Sequence, residues 1–204
     1  MRLAGWASAQ LHVYMRCGIA VGLGAMILPF TAVQLALAQP GAQTAPAPAQ
    51  KTISSEFVPA SSRTGAPDLR LTDLGGKPLA LAQYKGKVVL LDFWAVDCGG
   101  CVIEVPWYVE FDQKYRDKGL VVLGIDMYGE APNYIFPFMA KQHMEYRVAV
   151  GNDQIRQQFH ADELPKTLLI DRDGRIAVSH VGIVDKAAFE QDIQALLRES
   201  ALGR

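Results

Sequence analysis

The run Val88-Val89-Leu90-Leu91-Asp92-Phe93-Trp94-Ala95-Val96-Asp97-Cys98-Gly99-Gly100-Cys101-Val102-Ile103-Glu104-Val105-Pro106 decides the fold. Its first seven residues are apolar except for Asp92, and the run is too short for a free-standing helix. Such a segment reads as a strand buried on both faces. It delivers two cysteines to its carboxyl end, the edge at which open α/β sheets place their chemistry. With a helix starting at Cys98, Cys101 lies just under one turn further on. The two sulfurs then share one face and can form a disulfide.

Outward from this run, the amino end differs sharply in composition from the rest. Arg2 and Arg16 are the only formal charges before Lys51, and the chain from Cys17 to Phe30 is almost wholly apolar. Pro29 and Thr31 lead to Ala36-Leu37-Ala38, a small-X-small cleavage pattern. Residues 1–38 therefore read as a secretory signal peptide, with an uncleaved membrane anchor as the rival reading. Cys17 follows Met15-Arg16, which does not suit a lipidation signal, so it reads as one more apolar residue of the leader. Residues 39–62, rich in Pro and Ala, have no period and little to bury, and read as a tether. Residues 63–204 remain for a single folded domain.

Charge narrows the function classes. The 204 residues carry 20 Lys+Arg and 21 Asp+Glu, a net charge of −1. Removing the leader takes away two basic and no acidic residues, leaving −3. A mildly acidic chain without a basic run offers nucleic acid no footprint. Cleavage would also leave Cys98 and Cys101 as the remaining cysteines, in a compartment where disulfides persist. A loop this small adds little stability when closed, so the pair points to redox chemistry rather than to a staple.

Along the folded part, Ala66 to Leu81 alternates around Gly75-Gly76 and predicts a hairpin at the sheet edge. The strand Val88–Trp94 follows, then a helix that Pro106 should kink. Leu120 to Asp126 predicts a second buried strand and Ala131 to Gln142 a helix, with Pro137 casting doubt on its first turns. Tyr146–Val150 is a short strand and Asp153–Phe159 a short helix. Leu168–Asp171 and Ile176–Val181 flank the turn Arg172-Asp173-Gly174-Arg175. Asp185 caps a last helix in which Phe189, Ile193, Leu196 and Leu197 recur at helical spacing. Together these predict an α/β fold, a central mixed β-sheet flanked by helices with an N-terminal β-hairpin.

The segment Asp92-Phe93-Trp94-Ala95 leading into Cys98-X-X-Cys101 resembles the thioredoxin superfamily signature. Cys-X-X-Cys-X-X-Glu-X-Pro behind a leader and a tether is similar, in particular, to TlpA/ResA-type thiol-disulfide oxidoreductases. Glu163-Leu164-Pro165-Lys166-Thr167 through Arg175 is similar to that family's cis-proline turn, next strand and hairpin. The resemblance runs from about Ala66 to about Arg198. It implies a thioredoxin-like fold and a periplasmic enzyme exchanging its disulfide with cysteines of partner proteins. It suggests a reductive task, such as cytochrome c maturation or thiol protection, fed by a membrane electron donor.

Each candidate site residue has a physical reason. Cys98 at a helix start meets unpaired N–H groups and the positive end of the helix dipole, which favour its thiolate and make it the expected nucleophile. Cys101, further into the turn, would attack the mixed disulfide and release the substrate. Asp92 should face the underside of the disulfide, where burial raises its pKa and lets it take a proton from Cys101. Thioredoxin has an aspartate here, whereas the TlpA-type branch usually has another polar residue. Glu104 matches the acid of the TlpA-type motif and would shift the cysteine pKa values or assist proton transfer. Without the resemblance it reads as a solvated helix residue. Pro165 is expected in the cis form, with the Leu164 backbone pairing with the bound polypeptide. Trp94 is expected beside the site, its indole seeking one polar partner. His180 reads as an ordinary surface or core-edge residue.

Two positions depart from the family pattern. Asp97 replaces the usual tryptophan before the first cysteine, and Gly100 the usual proline or charged residue between the two. A negative charge at Asp97 opposes the dipole at Cys98, while two glycines loosen the first turn. No cofactor or metal is expected, since His143, His160 and His180 are scattered and no second Cys-X-X-Cys exists. The alternatives are a disulfide-forming oxidant of the same fold and a copper-handling thioredoxin-like module. A thiol peroxidase would need a Thr-X-X-Cys arrangement that the chain lacks.

Overall fold

The structure is a computed structural model that describes residues 56–199. The expected leader and most of the expected tether lie outside the described residues.

A five-stranded sheet forms the frame. Its strands are β3 (Val88–Trp94), β4 (Leu120–Asp126), β5 (Arg147–Val150), β6 (Lys166–Ile170) and β7 (Ile176–Val181), in the order β5-β4-β3-β6-β7. β3 runs parallel to β4 and antiparallel to β6, so the sheet is mixed. All seven residues of β3 are buried, as an apolar run in a central strand covered on both faces requires.

Pleating divides β3 between two cores. Val88, Leu90 and Trp94 pack with α1 (Gly99–Tyr115) and α4 (Lys186–Arg198), through Tyr108, Phe111, Phe189 and Ile193. Val89, Leu91 and Phe93 pack on the other face with Ile155 and Phe159 of α3 (Asp153–Phe159). α2 (Pro132–Gln142) adds Ile135 to the first core.

The hairpin pairs β1 (Arg70–Thr72) with β2 (Pro78–Ala80) as a two-stranded sheet of its own. It meets the edge strand β5 at its turn, where Asp73 bridges to Ala149 and Leu74 N–H donates to Val148 O at 2.8 Å. Arg147 clamps this contact, bonding Asp73 Oδ2 at 2.7 Å and Pro78 O at 2.8 Å.

α1 runs as one helix through Pro106. Pro106 lies on its exposed face, so water can satisfy the Val102 carbonyl that has lost its partner. α2 likewise begins at Pro132, a tolerated first-turn position, and continues through Pro137. The folded part also starts earlier than residue 63. Phe57 packs against the first core and Val58 N–H donates to Ala177 O of β7 at 2.8 Å.

His143 and His160 end α2 and α3 in the left-handed conformation, with φ of 57° and 51°. Their place in the fold is that of helix caps.

Candidate active site: a disulfide over buried carboxyls

Cys98 is the N-cap of α1, and its sulfur accepts the Cys101 N–H at 3.2 Å. The two cysteines are joined, with Cα atoms 5.2 Å apart. Cys98 is 8% exposed and Cys101 1%, so the outer sulfur is the first one and the inner sulfur is shielded by the fold.

Pro165 faces this pair, and the Leu164–Pro165 peptide is cis. Its carbonyl accepts Gly182 N–H at 2.8 Å, which fastens the turn before β6 to the segment after β7. A Cβ placed on Gly100 would lie 2.8 Å from Pro165 Cδ. Gly100 thus allows the first turn of α1 to approach the proline ring more closely than any side chain would permit. Among the described residues, neither the amide nor the carbonyl of Leu164 takes a backbone partner, which leaves this edge open to an extended chain.

Two acids are buried between α1 and the sheet, Glu104 on α1 and Asp92 on β3. Asp92 is 1% exposed and Glu104 fully buried, so Glu104 is not the solvated helix residue that the bare sequence allowed. Glu104 Oε2 accepts from Tyr108 OH at 3.0 Å and Oε1 from Val184 N–H at 3.1 Å. Burial raises Glu104 to about 7, against the pull of these two hydrogen bonds. Burial also holds Asp92 well above the ordinary aspartate range, and the charge of Glu104 adds to it.

Trp94 corrects a further expectation. The indole is fully buried, stacked on Phe138 at 5.1 Å, and Nε1 has no hydrogen-bond partner. Fully buried, it presents no surface to a docked polypeptide.

Sequence reasoning missed Tyr108 and Thr167 and misplaced His180. Tyr108 lies four residues beyond Glu104 on the same helix, a spacing that could have found it. Thr167 reaches the acids only because β6 pairs with β3, where Asp92 and Thr167 are opposite one another. His180 is opposite Thr167 on β7, with Nε2 3.8 Å from Glu104 Oε1. Burial lowers it to about 4, with the charge of Lys166 as the second cause, so it stands neutral beside the acids.

The family model described as Redoxin matches residues 60–197. The chain belongs to the Redoxin family. It is 31% identical over 132 residues to the thiol-disulfide oxidoreductase ResA of Bacillus cereus, a match covering 64% of this chain and 76% of the relative. It is 30% identical over 148 residues to protein DipZ of Mycobacterium bovis, covering 68% of this chain and 21% of DipZ. A crystal structure of a thiol:disulfide interchange protein from Chlorobium tepidum superposes with a TM-score of 0.60 at 26% identity. That match covers 66% of this chain and 97% of the other. This Redoxin member is a TlpA/ResA-like thiol-disulfide oxidoreductase with the thioredoxin fold. The exchange proceeds by thiolate attack on a disulfide through a mixed-disulfide intermediate.

Proposed function

We propose that Cys98–Cys101 works as a reductant in the periplasm, donating electrons to disulfides of exported proteins in tasks such as cytochrome c maturation or thiol protection. The leader signature of residues 1–38 supports export, and a membrane electron donor would recharge the pair. Cys98 opens the exchange, Cys101 resolves it, and Asp92 and Glu104 manage the proton. The Leu164–Pro165 edge receives the substrate backbone.

The acidic setting of the disulfide carries the reductive direction. Asp97 adjoins Cys98, Glu130 accepts the Val96 N–H at 3.0 Å, Glu104 is buried on α1 and Asp92 is buried on β3. Negative charge disfavours a thiolate. Strong disulfide-forming oxidants owe their oxidising power to a stabilised reduced form, which this setting does not favour.

Equilibration of the full chain with glutathione buffers, followed by thiol alkylation and mass measurement, tests the direction. A midpoint more negative than about −200 mV is expected, and one near −120 mV would assign the chain to the oxidants.

A further inference from the structure

Four oxygens form an unbroken line between α1 and the sheet. Glu104 Oε2 meets Tyr108 OH at 3.0 Å, Tyr108 OH meets Thr167 Oγ1 at 2.9 Å, and Thr167 Oγ1 meets Asp92 Oδ1 at 3.5 Å, the longest of the three. All four residues are at most 1% exposed, so bulk water does not complete the line.

Counting protons decides what this line can do. Three oxygen–oxygen contacts need three protons, and the two hydroxyls bring two. With both carboxyls ionised, Tyr108 donates to Glu104 and Thr167 to Asp92. The hydroxyl contact at 2.9 Å is then left with lone pairs face to face. With both carboxyls protonated, four protons compete for three contacts. One shared proton satisfies every contact, and it does so in either sense. Asp92 donates to Thr167, Thr167 to Tyr108 and Tyr108 to Glu104, or the whole line runs in reverse.

We propose that Thr167 and Tyr108 are positioning residues of a relay that shares one proton between Asp92 and Glu104, so that the two carboxyls serve Cys101 as a single base. In the mixed disulfide, the Cys101 thiol gives its proton to the carboxylate that holds none. Its sulfur then attacks Cys98 Sγ. The Cys98–Cys101 bond forms, the bond from Cys98 to the substrate sulfur breaks, and the substrate leaves as a thiolate that takes a proton from solvent. The protein dithiol is oxidised and the substrate sulfur reduced, with electrons in balance. The relay rests on thiol-disulfide exchange at this pair, in either direction.

The surroundings agree with a single negative charge on the pair. Glu104 also receives the Val184 N–H and faces the neutral ring of His180 from β7. Lys166 of β6 acts on His180, and Tyr146 feels the charge of Asp92. Burial raises both carboxyls, so the pair still holds a proton near neutral pH.

The test is a carbon-13 NMR titration of the oxidised full chain with Asp and Glu carboxyls labelled. In the parent, the Asp92 and Glu104 carbons are expected to share the same two steps, each moving in both, as coupled groups do. In Thr167→Val and in Tyr108→Phe each carbon should move in a step of its own, and Thr167→Ser should restore the shared pattern. Stopped-flow release of thionitrobenzoate from a Cys98 mixed disulfide should slow about tenfold near pH 7 in Thr167→Val, and recover at high pH where Cys101 ionises unaided. Carboxyl midpoints that are unchanged by Thr167→Val would overturn the relay. So would separate single steps in the parent. The titration involves no substrate, so it stands or falls apart from the reductive reading.

Discussion

Glu104 and His180 pull the stability of the protein in opposite directions with pH. The folded pKa of Glu104, about 7, lies above its ordinary 4.5. The native state therefore keeps a proton that the unfolded chain has already given up. This contribution is full below pH 4.5 and is lost as pH rises to 7, by about 3 kcal/mol. His180 is held at about 4 against an ordinary 6.5, so its contribution is full above 6.5 and is lost as pH falls toward 4. Between pH 4.5 and 6.5 the two slopes offset one another. Glu104→Gln removes one of them. Its stability relative to the parent is expected to rise by about 3 kcal/mol between pH 4.5 and 8, read from urea unfolding of the oxidised protein. A difference independent of pH would show that Glu104 ionises in the fold as it does in water. From the sequence, Cys98 and Cys101 were legible by their spacing and Asp92 by its place in the strand before them, whereas Glu104 was legible only through the family motif, since the residue alone read as solvated. Thr167 was not legible, because strand register joins it to Asp92 across 75 residues of chain, nor was His180, which meets Glu104 where α1 packs on β7.

Among the elements, α1 and the Pro165 turn meet at Gly100, one of the two glycines between the cysteines. Both would weaken a helix by propensity alone, and the sequence suggested the same role for each. The structure separates them. A Cβ on Gly99 would meet nothing within 4 Å, whereas one on Gly100 would strike the Pro165 ring. Gly99→Ala is therefore expected to stabilise by about 0.5–1 kcal/mol, by restricting the unfolded chain and improving the first turn. Gly100→Ala is expected to destabilise by about 1–2 kcal/mol, because the ring cannot move aside as a flexible side chain would. Thermal unfolding of both variants checks the pair, and equal stabilisation would contradict the close approach. Strand and helix positions were legible because β3 and α4 announce themselves by pattern. The uninterrupted course of α1 through Pro106 was not, since it depends on which face of the helix meets water.

At the scale of the molecule, Arg63 fastens both ends of the described chain to the sheet. Its guanidinium is buried, bonding Glu199 at 2.6 and 2.8 Å, Asp171 at 3.2 Å and the Val58 carbonyl at 2.9 Å. Asp171 keeps Arg175 as a second partner, at 3.0 Å. Arg63→Met should therefore cost about 2–3 kcal/mol, less than the usual loss for an orphaned buried charge. The urea midpoint should fall with an unchanged slope, and the Val58 amide should exchange faster with solvent. An unchanged midpoint would mean that the clasp contributes no stability. Nothing in the composition of residues 39–62 foretold that the segment from Phe57 on is held this way, because the contacts come from β7 and from beyond α4. The central claim concerns the Cys98–Cys101 disulfide at the start of α1. The direct measurement uses full-length Cys101→Ser, reduced and then challenged with a disulfide-containing polypeptide. The account predicts a stable mixed disulfide at Cys98, located by peptide mass mapping and absent from Cys98→Ser. Failure to trap any polypeptide, with Cys98 inert to alkylation after mild reduction, would contradict it.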